Sequence, residues 1–297
     1  MDLVRTPDER FARLPDYPFA PRYTEVQGLR VHHVEDGPPD AKPVLLLHGE
    51  PTWSFLYRRL IPILARAGHR ALAPDLVGFG RSDKPTARSA YAYARHVQWM
   101  AEWIASNRLR EITLVGQDWG SLIGLRLVGE HPHLFRRVVI ANGFLPTGEG
   151  RLPLAFRLWQ AFARWSPLFP VPAIVRAGCA RKVSADVLAA YAAPFPDRRS
   201  KAGARVFPRL VPTSPGDPEA AANRRAWATL RTWEQPFLTV FGEKDPIFGG
   251  LDRILQERIP GAKGQPHRRL RGAGHMIQED CGEELAEAIV QFIARTP

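Results

Sequence analysis

The residues best suited to chemistry lie in the segment Gly116-Gln117-Asp118-Trp119-Gly120. It lies at the end of the predicted strand 112–117 and at the start of a helical stretch, so it fits a sharp strand-to-helix turn that raises its middle side chain above a sheet. Glycine suits the flanking positions because a side chain there would collide with the turn or a neighbouring strand. Asp118 is therefore a candidate carboxylate nucleophile. An Asp in this place can equally cap a helix, and the pentapeptide alone leaves both interpretations open.

A second turn, His48-Gly49-Glu50-Pro51, directly follows the buried apolar run Val44–Leu47. Such a turn, together with the residue after a nucleophile, can provide two backbone N–H groups that stabilise a negatively charged oxygen. We expect the N–H groups of Glu50 and Trp119 to form an oxyanion hole of this kind. The alternative is a tight turn that uses Gly and Pro for its geometry alone.

An acid and a base follow in the order that a nucleophile–acid–histidine triad requires. Asp245 lies in Gly-Glu-Lys-Asp-Pro after one predicted strand, and His275 lies in Gly-Ala-Gly-His after the last predicted strand. Either residue alone would more often be a cap or a loop residue, but their joint position favours catalysis. The preceding predicted strand ends at Asn142, which cannot ionise. We therefore predict Asp118, Asp245 and His275 as the catalytic residues.

Eight short segments with β-strand character must position these side chains: 22–26, 29–34, 43–48, 70–74, 112–117, 137–142, 236–241 and 267–270. Helical stretches alternate with most of them, which predicts a mostly parallel sheet covered on both faces. From about Phe144 to Trp233 the chain is rich in Ala, Pro and Trp and its pattern is helical. We predict an α/β core of residues 1–145 and 234–297, interrupted by a helical cap of residues 146–233.

Five segments together resemble the haloalkane dehalogenases: HGEPTWS (48–54), APDLVGFGRSDKP (73–85), VGQDWG (115–120), YAAPFPD (191–197) and GAGH (272–275). The likeness runs over nearly the whole chain. It is greatest for the branch in which HG is followed by Glu and the catalytic acid follows the penultimate strand. The resemblance implies an α/β-hydrolase fold, with a mostly parallel eight-stranded sheet flanked by helices and an inserted helical cap.

The resemblance also implies a reaction. Asp118 would displace halide from a saturated carbon and form an alkyl-enzyme ester. His275, oriented by Asp245, would then activate a water that attacks the ester carbonyl, while the Glu50 and Trp119 N–H groups hold the oxyanion. The expected partners are a small halogenated hydrocarbon, water and the halide product. No cofactor is needed, and the sequence suggests no metal site.

The departing halide needs hydrogen-bond donors that are not bases, a role that suits an indole N–H. The resemblance implies Trp119 as one halide-binding residue. In the family the second donor usually comes from the cap, but this chain departs from one relative there. The position at which that relative carries its Trp, twelve residues before Tyr191, is occupied by Cys179.

Two other tryptophans of the cap, Trp159 and Trp165, are alternatives for the second halide donor. At helical spacing Leu158, Phe162 and Trp165 share one stripe, which we expect to be the packing face. Trp159 lies on the flank of that stripe beside small alanines that leave room for a ligand. We therefore predict Trp159 rather than Trp165, and a purely structural role for both stays open.

Three rival functions are less consistent with the residues. An epoxide hydrolase uses the same Asp–His–Asp arrangement but needs two cap tyrosines, and Tyr191 is the only tyrosine between Phe144 and Gln235. A serine esterase is disfavoured because Asp118 occupies the nucleophile position. A catalytically silent ligand-binding relative would commonly lack one triad member, whereas all three are present here.

Composition excludes several other classes. The 297 residues include 41 basic and 30 acidic side chains, a net charge of +11, but the arginines are spread along the chain without a nucleic-acid-binding module. Apolar runs are only a few residues long, so we expect no membrane span and no signal peptide. Two distant cysteines, Cys179 and Cys281, indicate a reducing cytoplasm. A monomer is the default expectation.

Overall fold

Ten β-strands are present in the part of the chain that the computed structural model describes, residues 2–149, 154–166 and 168–297. They are β1 (Leu3–Val4), β2 (Arg22–Val26), β3 (Leu29–Asp36), β4 (Pro43–Leu47), β5 (Arg70–Pro74), β6 (Lys84–Pro85), β7 (Ile112–Gln117), β8 (Phe135–Ala141), β9 (Phe237–Gly242) and β10 (Arg268–Leu270). All eight strands predicted from the sequence occur, with ends that differ by no more than a few residues.

Eight of these strands form one sheet in the order β10-β9-β8-β7-β4-β5-β3-β2. Strand β3 pairs antiparallel with β2 and β5, and the other neighbouring pairs are parallel. The short strands β1 and β6 pair with each other. The central strands β4, β7 and β9 are buried at every residue, as expected of a sheet covered on both faces. The predicted fold, a mostly parallel eight-stranded sheet flanked by helices, is confirmed.

Ten α-helices accompany the sheet within the described residues. They are α1 (Leu60–Arg66), α2 (Tyr93–Ser106), α3 (Trp119–Glu130), α4 (Leu154–Trp165), α5 (Val171–Gly178), α6 (Ala185–Ala192), α7 (Ala202–Leu210), α8 (Pro218–Leu230), α9 (Leu251–Arg258) and α10 (Ile277–Arg295). None of these helices is both long and apolar enough to cross a membrane. Because parallel strands end at one edge of the sheet, the loops after β4, β7, β9 and β10 meet there.

Helices α4 to α8 lie between β8 and β9 in the chain, and no strand interrupts this part of the described residues. We call α4–α8 the helical insertion. Its last helix, α8, packs against α3: a Cβ added to Gly129 would lie 2.4 Å from the Ala226 Cβ, and Arg126 donates to the Asn223 Oδ1 at 2.8 Å. The boundaries of a functional cap at residues 146 and 233 stay a prediction.

Helix α4 presents its apolar stripe differently from the expectation. Leu158 and Trp165, expected to pack inward, are 61% and 72% exposed, so that interpretation of the stripe was wrong. The flank that carries Trp159 faces the protein instead, and Trp159 packs against Phe162 and Phe169 with centroids 5.7 and 5.8 Å away. Helical periodicity identifies a stripe, but the neighbouring helices decide which side of the helix is covered.

Candidate active site

Asp118 occupies the turn between β7 and α3. Its φ angle is +50°, a conformation that residues other than glycine rarely adopt, so the surrounding structure must hold it. Gly120 permits the turn to approach β4 closely, since a Cβ at that position would lie 1.9 Å from the Leu47 carbonyl oxygen. The structure thus contains the strand-to-helix turn that the sequence predicts, with a carboxylate at its apex.

Two backbone N–H groups approach the Asp118 carboxylate. The Glu50 N–H donates to Asp118 Oδ1 at 2.8 Å, and the Trp119 N–H also bonds to the carboxylate. Gly49 makes this approach possible, because a Cβ there would lie 2.4 Å from the Asp118 Cβ. Burial, followed by the charge of Asp118, raises the pKa of the Glu50 carboxyl well above its usual range. The two predicted oxyanion donors therefore both lie beside the Asp118 carboxylate.

His48 holds the loop that carries the Glu50 N–H. Its Nε2 accepts a hydrogen bond from the Leu76 N–H at 2.9 Å, so its proton lies on Nδ1, which donates to the Gly49 carbonyl at 2.9 Å. Burial lowers the pKa of His48 and keeps the ring neutral, as this arrangement requires. The sequence indicates His48 only as part of a motif, and this contribution to the geometry was not predicted.

His275 lies between the two carboxylates that the sequence analysis paired with it. Its Nδ1 is 3.2 Å from Asp245 Oδ2, and its Nε2 is 3.7 Å from Asp118 Oδ2. The ring stacks on Phe248 with a centroid distance of 5.8 Å. Asp245 is fixed in turn, because its Oδ1 accepts the Ile247 N–H at 2.9 Å. The three predicted catalytic residues therefore converge, although they come from three separate loops.

Burial and the neighbouring charges shift the pKa values of Asp118, Asp245 and His275. Burial lowers the pKa of His275, but the adjacent Asp245 and Asp118 outweigh burial and raise that pKa to about 9. Burial raises the pKa of Asp245, yet the His275 charge and hydrogen bond and the Ile247 N–H hold it below its usual value. The pKa of Asp118 is raised, mainly by burial. The two neighbouring carboxylates therefore favour the protonated form of His275.

Asn142 and Gln117 hold the backbone of the His275 loop. The Asn142 Nδ2 donates to the Gly274 and His275 carbonyls at 2.8 and 3.0 Å, and its Oδ1 accepts the Gly242 N–H at 2.7 Å. Gln117 Nε2 donates to the His275 carbonyl at 3.2 Å. Asn142 was not predicted to hold this loop, because the sequence offers no separate signal for such a contact.

A cavity of about 520 Å³ opens onto the Asp118 carboxylate. Besides Asp118, Glu50 and His275, its walls are almost entirely apolar and include Leu122, Phe144, Ile174, Ile247 and Met276. Such a cavity has the size and character of a site for a small apolar molecule, with its few polar groups gathered at one end.

Trp119 and Trp159 both line this cavity. Trp119 is buried, with its ring against Tyr93 and Phe207 at centroid distances of 5.1 and 4.6 Å. Trp165 projects into solvent and is not among the described lining residues, and neither is Cys179, whose thiol donates to the Val175 carbonyl. Within the described residues, no group of three or more His, Cys, Asp or Glu side chains is arranged to hold a metal ion.

Comparison with known proteins decides the family. Residues 42–280 match the family described as alpha/beta hydrolase fold. The haloalkane dehalogenase of Mycobacterium marinum is 57% identical over 98% of this chain and 100% of its own length. That of Psychrobacter cryohalolentis is 53% identical over the full length of both chains. The chain belongs to the haloalkane dehalogenases. The resemblance found in the sequence motifs is thereby confirmed.

A haloalkane dehalogenase is a hydrolase that acts on carbon–halide bonds, so this dehalogenase is an enzyme, as predicted. Among solved structures, the tetrameric haloalkane dehalogenase DpaA from Paraglaciecola agarilytica NO2 superposes with a TM-score of 0.90. It is 36% identical, and the alignment covers 97% of each chain.

Proposed function

We propose that this dehalogenase converts haloalkanes to the alcohol and halide, with Asp118 as the nucleophile. The observation that carries the proposal is the asymmetry of the Asp118 carboxylate: Oδ1 accepts the Glu50 N–H at 2.8 Å, whereas Oδ2 faces His275. Oδ2 keeps its lone pairs for in-line attack on the halogen-bearing carbon. Attack forms a C–O bond, breaks the carbon–halogen bond and leaves an alkyl ester on Asp118.

His275 is the proposed base for the second step. Esterification removes the charge of Asp118, one of the groups that raise the His275 pKa, so this pKa falls in the alkyl-enzyme. The neutral Nε2 then takes a proton from water, and the hydroxyl attacks the ester carbonyl carbon. Negative charge develops on Oδ1, where the Glu50 and Trp119 N–H groups stabilise it. Asp245 orients the ring and stabilises the imidazolium.

The indole N–H groups of Trp119 and Trp159 are the proposed halide-binding donors. Both rings line the cavity beside Asp118, and an indole N–H can donate but cannot act as a base. Trp119 follows the nucleophile directly, and Trp159 reaches the cavity from α4. No cofactor or metal is part of the proposed reaction.

Epoxide hydrolysis is a poorer fit to the same cavity. That reaction needs hydroxyl donors for the opening ring, and no tyrosine is found among the described residues that line the cavity. Tyr191, the tyrosine that the sequence analysis considered, is buried and donates its hydroxyl proton to Glu279. The mainly apolar walls favour a hydrocarbon substrate with the halogen as its polar end.

A single turnover in H₂¹⁸O tests the Asp118 assignment directly. With enzyme in excess over 1,3-dibromopropane, the product oxygen comes from Asp118 Oδ2, so the alcohol carries ¹⁶O and the Asp118 peptide gains ¹⁸O. Direct attack of water on carbon would put ¹⁸O into the first alcohol instead and would overturn the covalent route. In parallel, bromide release from bromoalkanes is compared with diol formation from an epoxide of similar size.

We propose that residues 146–233 act as the cap over the cavity, since Phe156, Trp159 and Ile174 of α4 and α5 line it. The two free cysteines, Cys179 and Cys281, support a cytoplasmic location. We also propose that the protein is a monomer. Light scattering tests this proposal, since the similar protein DpaA is a tetramer.

A further inference from the structure

The loop that carries His275 is tied to the helical insertion by the buried carboxylate of Asp280, which is 3% exposed. Asp280 Oδ2 accepts the Gly274 N–H at 2.7 Å and the Ala180 N–H at 2.9 Å. Its Oδ1 accepts the Arg181 N–H at 2.8 Å. One carboxylate thus binds the residue before the catalytic histidine and two residues that follow α5.

Other contacts show that the two segments lie directly against each other. The Met276 N–H donates to the Gly178 carbonyl at 2.9 Å. A Cβ added to Gly274 would lie 2.8 Å from that same Gly178 oxygen and 3.0 Å from the Ala180 nitrogen. Gly178 also lines the cavity. The His275 loop is therefore clamped between Asp280 and a segment of the insertion that touches the substrate space.

A carboxylate is well suited to this position. In the described part of the chain Asp280 has no ion-pair partner within 4 Å, and its charge is met by the three backbone N–H groups. Hydrogen bonds to an ionised acceptor are shorter and stronger than neutral ones. An Asn would offer one acceptor oxygen and would turn an N–H donor toward another N–H.

We propose that Asp280 is a positioning residue that sets the place of His275 through the Gly274 N–H and locks the insertion to the same loop. This inference rests on the proposed function, in which His275 acts on the alkyl-enzyme and not on the haloalkane. Loss of the Asp280 carboxylate then slows ester hydrolysis while the attack by Asp118 continues. A residue that served stability alone would not separate the two steps.

Rapid-quench measurement with 1,3-dibromopropane tests the proposal in Asp280→Ala and in the milder Asp280→Asn. Bromide release reports the first step, and the mass of the Asp118 peptide reports the ester. We expect the first-step rate constant to stay within about threefold of wild type and ester hydrolysis to slow about tenfold to a hundredfold, the scale of a misplaced catalytic group. The esterified peptide accumulates in both variants, more strongly in Asp280→Ala.

Glu279→Gln is the matched control, because Glu279 is the adjacent buried carboxylate but binds Arg58 and Tyr191 instead of the His275 loop. It is expected to leave the ratio of the two rate constants unchanged. Unaltered hydrolysis in a folded Asp280→Ala, or equal slowing of both steps without ester, would overturn the role of Asp280. If Asp280→Ala does not fold, Asp280→Asn gives the same decision. Absence of bromide release already in wild type would instead refute the proposed function.

Discussion

Replacing His275 by Phe separates the two steps of the proposed reaction. The new ring keeps the stacking on Phe248 but has neither the Nε2 that lies 3.7 Å from Asp118 nor the Nδ1 that lies 3.2 Å from Asp245. Attack by Asp118 needs no base, so the first halide is still released. Hydrolysis of the ester loses its base.

The expected slowing of ester hydrolysis follows from the loss of the general base. General base catalysis contributes about 10²- to 10⁴-fold, which corresponds to about 3 to 5 kcal/mol of activation free energy. Ester hydrolysis in His275→Phe should slow by this factor.

The same substitution should also affect stability, because Asp245 loses its hydrogen bond to His275 and keeps the one from the Ile247 N–H. The free energy of unfolding should therefore fall by about 1.5 to 3 kcal/mol, the range for a hydrogen bond to a charged group.

The assay combines rapid quench with peptide mass spectrometry at pH 8. His275→Phe should release about one bromide per chain and then stop, and the alkyl adduct should lie on the peptide that contains Asp118. Asp118→Asn is the paired control and should give neither burst nor adduct. Normal turnover by His275→Phe, or an adduct on Glu50 or Asp245, would refute the assignment of base and nucleophile.

Three further predictions test other parts of the site. Trp159→Phe should weaken halide binding, measured as fluorescence quenching, by about tenfold, which is the scale of one lost hydrogen bond to an anion. Trp165→Phe, which changes an exposed residue, should bind halide normally, and equal effects of the two substitutions would contradict a halide-binding role for Trp159. The rate of ester hydrolysis should rise with pH as His275 loses its proton and should level off below pH 9, because ester formation on Asp118 removes one of the charges that raise the His275 pKa to about 9 in the free enzyme. A hydrolysis rate that falls over this pH range in pH-jump experiments would contradict the role of His275 as the base. Gly120→Ala should lower the free energy of unfolding by about 1 to 3 kcal/mol, since its Cβ would lie 1.9 Å from the last carbonyl oxygen of β4. Unchanged stability in chemical denaturation would argue against so close an approach of the turn to β4.

Local patterns in the sequence were sufficient for much of the fold. A strand of the central sheet is buried on both faces, so an apolar run such as Val44–Leu47 is recognisable without its neighbours. The turns after these strands need particular residues for steric reasons, which made Asp118 and its flanking glycines visible in the sequence. The two-stranded β1–β6 sheet was not predicted, because strands of two residues show no periodicity.

The orientation of α4 shows where such reasoning ends. The sequence specified an amphipathic helix and a choice between Trp159 and Trp165, and small neighbours pointed to Trp159. It also led to the wrong packing face, because Leu158 and Trp165 are exposed in the structure. Which face of a helix is covered depends on the elements around it, and these contacts are not encoded in the spacing of one helix.

By itself, the sequence determined the strand-helix order, the turn chemistry and the identity of Asp118, Asp245 and His275 as candidates. Only the tertiary structure decided how they meet: the ring of His275 between two carboxylates and the clamp of Asp280 on its loop. The physical reason is that turns and strands follow from interactions between residues close in the chain. Distances between loops instead follow from the register and twist of the whole sheet and from the packing of the insertion upon it.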